Sequence, residues 1–158
     1  MELMVVIVIL SLTALIVLPR LTGGDDARLR SSSRSLAALV RYLGERGATT
    51  GKYYRLHFSL ADNQVTVMQR GVDGVETRDT DPFFSRSMLA DGVALADLEL
   101  PRLGKVTEGE VTLDIGPGGL AEHFVVHLKG RGDKYVTIFA YPQGGKVKVE
   151  NGYVEAAR

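Results

Sequence analysis

The spacing of hydrophobic positions changes along the chain, and each change marks an element. Leu3 to Leu18 form one apolar run broken only by Ser11 and Thr13, with Glu2 standing directly at its head. From Asp25 the segment DDARLRSSSRSLAALVRYLGERG places Leu29, Leu36, Val40 and Leu43 seven, four and three residues apart, the spacing of one helical face. After Gly51 the period falls to two: Tyr54, Leu56, Phe58 and Leu60 alternate with Arg55, His57 and Ser59.

These patterns predict a long N-terminal helix followed by strands. Pro19 has no amide hydrogen and crowds the preceding turn, so the helix is expected to kink there, loosened further by Gly23-Gly24. Asp25 and Asp26 suit the N-terminal end of the resumed helix and Gly47 its stop. Asp62-Asn63 turns the first strand into QVTVM, a hairpin. Further strands are expected at VALADLEL, EVTLDI, EHFVVHLK, KYVTIFAY and GKVKVE, separated by glycine-rich turns. Asp81-Pro82 is read as the start of a short helix through PFFSRSML, and Gly71 to Thr80 as loop. The result is an α+β architecture, a long helix packed on antiparallel β-sheet. Residues 1–24 form the hydrophobic helix and kink, and residues 25–158 the globular domain.

Composition narrows the classes of function. At 158 residues and 45% hydrophobic, the chain suits one domain with an appendage. Lys plus Arg equals Asp plus Glu, 19 against 19, so no global field draws it to nucleic acid. The absence of cysteine excludes disulfides, thiolate metal sites and cysteine nucleophiles.

As a helix, Leu3 to Leu18 would cover roughly 24 Å, a turn short of the ~30 Å hydrocarbon core of a bilayer. No basic stretch precedes the run and no small-x-small cleavage site follows it, which argues against a cleaved secretory signal. A carboxylate beside hydrocarbon is costly, so Glu2 calls for a role. Glu2, the apolar run, Pro19 and Arg20 together resemble the N-terminus of type IV pilins and type II secretion pseudopilins. In that family a basic leader ends in glycine, a prepilin peptidase cuts after it, and the mature chain begins Phe-Thr-Leu-x-Glu. Both the leader and the Phe-Thr-Leu are missing ahead of Met1, which fills the variable position.

The helix ending LVRYLGERGATTGKYYRLHF, the later DIGPGG and the closing YPQGGKVKV resemble the GspH/FimT group of minor pseudopilins and minor pilins. Ile115, Pro117 and Gly118-Gly119 match one turn of that group loosely, and Pro142 with Gly144-Gly145 matches another without its threonine. The resemblance implies a non-enzymatic subunit anchored by one helix in the bacterial inner membrane, with a periplasmic domain. Its implied partners are other major and minor pseudopilins, the prepilin peptidase acting on the precursor, and inner-membrane lipid. It implies that the Glu2 carboxylate pairs with the N-terminal amine of a neighbouring subunit and sets the register of assembly. The alternatives are a minor type IV pilin of the FimT kind, active in pilus assembly or DNA uptake, and an unrelated membrane-anchored β-domain that binds a ligand. The tail VENGYVEAAR, with one arginine against two glutamates, disfavours a nucleic-acid partner.

The remaining motifs favour structural readings. Arg131-Gly132-Asp133 is what a tight turn requires. His123 and His127 share strand parity but lie roughly 13 Å apart along an extended chain, so they do not chelate one ion and are read as solvent-facing. His57 is read the same way. Asp73, Asp79 and Asp81 lack the spacing of a calcium loop, and Ser31 to Ser33 lack the context of a nucleophile. The arginines at 28, 30, 34, 41 and 46 are read as a solvated face without interleaved aromatics. No catalytic residue, metal ligand or cofactor is assigned. The headless motif predicts that the genomic reading frame continues upstream of Met1 through Phe-Thr-Leu, a glycine and a short Lys/Arg-bearing leader. Sequencing the locus checks this, and an in-frame stop codon immediately upstream would contradict it.

Overall fold

The computed structural model describes the backbone of residues 2–142 and 145–155; within the first helix it describes the side chains of Met4, Val6 to Ile9, Ser11 and every residue from Gly24 on. Helix α1 runs without interruption over Glu2–Thr50. The side chains of Glu2 and Pro19, the residues assigned to assembly and to the kink, lie outside the described residues. Ten strands follow: β1 Tyr53–Ser59, β2 Gln64–Arg70, β3 Glu76–Arg78, β4 Ala94–Leu100, β5 Gly104–Val106, β6 Glu110–Gly116, β7 Gly119–Leu120, β8 Phe124–Lys129, β9 Tyr135–Ala140 and β10 Val147–Asn151.

The strands form two antiparallel sheets of five, ordered β3-β2-β1-β6-β7 and β10-β9-β8-β4-β5. Alternation works as the pattern requires: Tyr54, Leu56 and Phe58 of β1 are fully buried, while Arg55, His57 and Ser59 face outward. Phe58 meets Phe124 of the second sheet edge-on, with ring centroids 5.8 Å apart. Asn63, at φ 54° in the β1–β2 turn, bridges the sheets by donating to the Val93 carbonyl and accepting from the Leu95 amide, both at 2.7 Å.

Helix α1 lies along β9 and β10 of one sheet and β6, β7 and β1 of the other. Leu29, Leu36, Val40 and Leu43 are buried as their spacing predicts, and so are Ala37 and Leu39. The stripe is wider than one face because two sheets, not one, cover the helix. Each fully buried leucine contributes about 1.5–3 kcal/mol. Ser32 is buried beside the stripe, where its Oγ accepts from the Ala90 amide at 2.9 Å.

Several local expectations are corrected. The helix passes Gly47 and ends at Thr50, where Gly51 (φ 71°) donates its amide to the Gly47 carbonyl at 2.9 Å, a glycine cap in the left-handed region. The helix carries a glycine at position 47 because the backbone of Gly116 passes against it: a Cβ there would lie 2.8 Å from the Gly116 carbonyl oxygen. Asp25 and Asp26 sit inside a continuous helix instead of starting one. PFFSRSML forms turns, not a helix. Asp81 caps that segment by accepting from the amides of Phe83 and Phe84, at 2.8 and 3.0 Å. Both phenylalanines then pack on Tyr42, with centroids 5.0 and 5.8 Å away, whereas a helix would splay adjacent side chains about 100° apart. The supposed loop Gly71 to Thr80 contains the edge strand β3, paired with β2 from Arg70↔Glu76 to Met68↔Arg78.

Gly44 and Gly47, one turn apart, give opposite predictions. A Cβ at Gly44 meets nothing within 4 Å. Gly44→Ala is therefore expected to stabilise the fold by up to about 1 kcal/mol through helix propensity alone. Gly47→Ala gains the same propensity but drives a methyl into backbone, and overpacking of typically 1–3 kcal/mol outweighs it. Thermal melting of the two variants should show shifts of opposite sign; equal shifts would mean that the helix is free to retreat from Gly116.

Candidate functional site

Near the N-terminus of α1 the described side chains are mostly apolar and exposed. Met4, Val6, Ile7, Val8 and Ile9 are between 52% and 77% exposed, and the first buried side chain of the helix among the described residues is Leu29. Neighbouring exposed apolar side chains of this kind make the segment a candidate interaction surface. Among the described residues no helix is long and apolar enough to cross a membrane.

Where the helix leaves the domain, the β8–β9 turn grips it. Lys134 Nζ contacts both oxygens of Asp26 at 2.7 and 2.8 Å, and Arg131 lies 3.7 Å from Asp25, which also pairs with Arg28 at 3.6 Å. Gly130 lets the turn approach Leu29, whose Cδ2 would be 3.2 Å from an added Cβ. The Arg-Gly-Asp tripeptide is thus this turn, with Gly132 and Asp133 at φ 70° and 55° and Asp133 paired to Lys129 at 2.7 Å. These pairs are exposed and contribute little energy, but they fix the turn against the helix one turn ahead of the first buried side chain.

A second anchor holds the other end. Arg46, read as solvated, is instead half-buried and gathers four groups. Its Nε donates to the Tyr54 hydroxyl at 2.9 Å, its Nη1 to the Tyr42 hydroxyl at 2.7 Å and to Asp81, and its Nη2 reaches Asp79 at 3.4 Å. The Tyr42 hydroxyl in turn donates to Asp81 Oδ2 at 2.7 Å. Asp79 and Asp81, which the sequence leaves scattered in a loop, therefore converge on a guanidinium. Hydrogen bonds from Tyr42 and the Phe83 amide hold the Asp81 carboxyl below its usual range, and the bond to Asp81 raises the Tyr42 hydroxyl above its own. Arg41 adds a bond to the Val147 carbonyl at 2.8 Å. Arg30 and Arg34 are exposed as expected.

On the outer face of the first sheet, Arg55 engages Asp114 through two bonds of 2.6 and 2.9 Å and Glu76 through one of 2.8 Å. His57, half-buried, adds a contact to Glu76 at 2.9 Å. The Arg55 hydrogen bonds hold Asp114 below the ordinary carboxylate range. Desolvation opposes the same shift at Glu76, but the bonds from His57 and Arg55 prevail and lower it.

The second sheet holds a site the sequence reading missed. His123 is exposed as expected, but His127, of the same parity, is completely buried. Its Nδ1 lies 2.6 Å from Asp97 Oδ1, its Nε2 lies 2.9 Å from the Val154 carbonyl oxygen, and the Tyr153 ring stacks on it at 3.9 Å. Tyr153 donates to Asp97 Oδ2 at 3.1 Å, and Lys105 joins the Tyr153 hydroxyl. Strand parity places His127 outward; the returning chain at 152–155 covers it. Asp97 at the cross-strand position was the available signal. Asp97, Glu99 and His127 place ligand-type atoms within 4.8 Å of one another. The set is self-satisfied: both Asp97 oxygens and both His127 nitrogens are engaged within the protein, and the Lys105 ammonium stands 3.9 Å from Asp97.

The depressed carboxyls define an acid limb. A carboxyl held low in the folded state contributes stability that is fully present above its unfolded value, near pH 4, and lost as pH falls through the folded value. Melting temperature should therefore drop on acidification below about pH 4. Asp114→Asn should lower stability at neutral pH and make the acid limb shallower. A limb of unchanged steepness would show that Asp114 is not among the groups that set it.

No protein-family model matches the chain, and no curated protein matches it in sequence. Two solved structures of the minor pseudopilin EpsH from the type II secretion system of Vibrio cholerae do match in three dimensions. One superposes with a TM-score of 0.65 at 17% identity, covering 84% of this chain and 99% of that one. The other gives 0.59 at 16%, covering 78% and 97%. Identity at that level speaks for shape, and it does so over nearly the whole of EpsH. A long N-terminal helix laid against two open antiparallel sheets is thus the pseudopilin fold, and this chain has it.

Proposed function

We propose that this chain is a minor pseudopilin of a type II secretion system, a structural subunit that performs no chemistry on a substrate. In this reading residues 1–24 serve first as an inner-membrane anchor and then as part of a filament core, while residues 25–158 form the periplasmic domain. One observation carries it: a domain with the fold of EpsH is built on a continuous 49-residue helix whose described side chains near the N-terminus, Met4 and Val6 to Ile9, are apolar and exposed. The partners are other pseudopilins, the prepilin peptidase acting on the precursor, and inner-membrane lipid.

Helices in lipid associate by close packing and polar contacts, since lipid supplies no hydrophobic drive between them. A carboxylate in such a bundle needs a cation. Glu2 takes that role by pairing with the N-terminal amine of the adjacent subunit, so that a correctly registered neighbour neutralises it and a misregistered one does not.

Replacing Glu2 by Gln should leave membrane fractionation unchanged, because a charge is removed from apolar surroundings. Entry into the filament should weaken by on the order of 3–5 kcal/mol, roughly a hundredfold or more, because the orphaned amine keeps its desolvation cost. Crosslinking of the full-length, processed protein to partner pseudopilins, run beside fractionation, reads both. Association of Glu2→Gln at the wild-type level would remove the assembly role of this residue.

A further inference from the structure

Thr137 of β9, His127 of β8 and Asp97 of β4 are successive cross-strand partners, so they form one polar row across the outward face of the second sheet. All three are buried, and the cover is residues 152–155, which leave β10 and cross β9 and β8 along that row. Thr137 holds this strap at two points, donating to the Gly152 carbonyl at 2.7 Å and accepting from the Val154 amide at 2.9 Å. His127 holds it at the Val154 carbonyl, and Asp97 holds it at the Tyr153 hydroxyl.

The two nitrogens of His127 both face acceptors, a carboxylate oxygen and a carbonyl oxygen. A neutral imidazole carries one N–H and cannot serve both; an imidazolium can. The Val154 bond therefore needs the imidazolium beside an ionised Asp97 carboxylate, and so one extra proton. On its loss, the remaining proton stays on Nδ1, because the bond to the carboxylate is charge-assisted and stronger. The Nε2 lone pair then faces the carbonyl oxygen of Val154, and attraction becomes repulsion. We propose that His127 is a proton-operated latch: as the imidazolium paired with Asp97 it closes the strap 152–155 over the second sheet, and without the extra proton it lets the strap go.

The surroundings leave the switch to this pair. Asp97 and Glu99 of β4 favour the imidazolium, and Lys105 of β5, 3.9 Å from Asp97, opposes it. Tyr153 and Glu155 lie on the strap itself. Tyr135 of β9 meets the Tyr153 ring edge-on at 5.5 Å, and Lys129 of β8 lies 5.5 Å over the Tyr135 ring. Desolvation lifts the Tyr153 hydroxyl above its usual range, and the bond that Lys105 donates to that hydroxyl lifts the Lys105 ammonium, so both keep their protons across the neutral range. The sign follows: the latch contributes at low pH and is lost as pH rises.

The test is a titration of the full-length, nitrogen-labelled chain in detergent by NMR, from about pH 5 to pH 9. Both His127 ring nitrogens should carry protons at the acid end, and Nε2 should lose its proton first. In the same step the Val154 amide, corrected for intrinsic exchange, should lose protection by about tenfold. His127→Gln should make that protection independent of pH; if this variant fails to fold, the wild-type titration decides alone. The proposal is overturned if Val154 protection stays constant through the His127 step, if Nδ1 loses its proton first, or if the ring is singly protonated throughout.

Discussion

Neither five-stranded sheet closes on itself, and each therefore leaves an apolar margin that strands do not cover. Burying that margin under α1 is the constraint on which the rest of the domain depends. Leu36, Leu39 and Leu43, each with no exposed surface, are the side chains that fill it. Because the helix must fit between two sheets, its approach is limited by backbone as well as side chains, and Gly47 against Gly116 is where the limit is reached. The width of the buried stripe, the late helix end and the glycine cap at Gly51 all follow from that fit.

Polar groups then determine where the helix starts and stops being part of the domain. Lys134 and Arg131 meet Asp26 and Asp25 at one end, and Arg46 gathers Tyr42, Tyr54, Asp79 and Asp81 near the other. The first group is exposed and adds position more than energy. The second is half-buried, and its value lies in completeness: no buried side-chain polar atom among the described residues lacks a partner. In effect these contacts bracket the buried stretch of the helix from Leu29 to Leu43 without breaking the helix.

Periodicity made most of this architecture legible. Four stripe residues and the alternation of β1 were readable because burial there follows a single period. Leu39, three residues after Leu36 and four before Leu43, belongs to the same face; Ala37 does not, and is buried because the helix is covered from two sides. Strands β3, β5 and β7 have three residues or fewer, too short to show alternation, and exist through pairing with longer neighbours. Val125, His127, Thr137 and Phe139 have the parity of an outer face and are buried all the same, because the chain returns over them. That return is a long-range event with no local signature. Asp81-Pro82 carried a true capping signal, but the cap serves a turn: Phe83 and Phe84 both need Tyr42.

At about 1.5 Å per residue the 49 residues of α1 measure roughly 73 Å, and among the described residues its buried side chains begin at Leu29. A force applied along the axis ahead of Leu29 therefore loads the leucine stripe in shear, so that the buried side chains from Leu29 to Leu43 share it. The Asp26–Lys134 and Asp25–Arg131 pairs stand where that stripe begins and oppose sideways bending of the helix there.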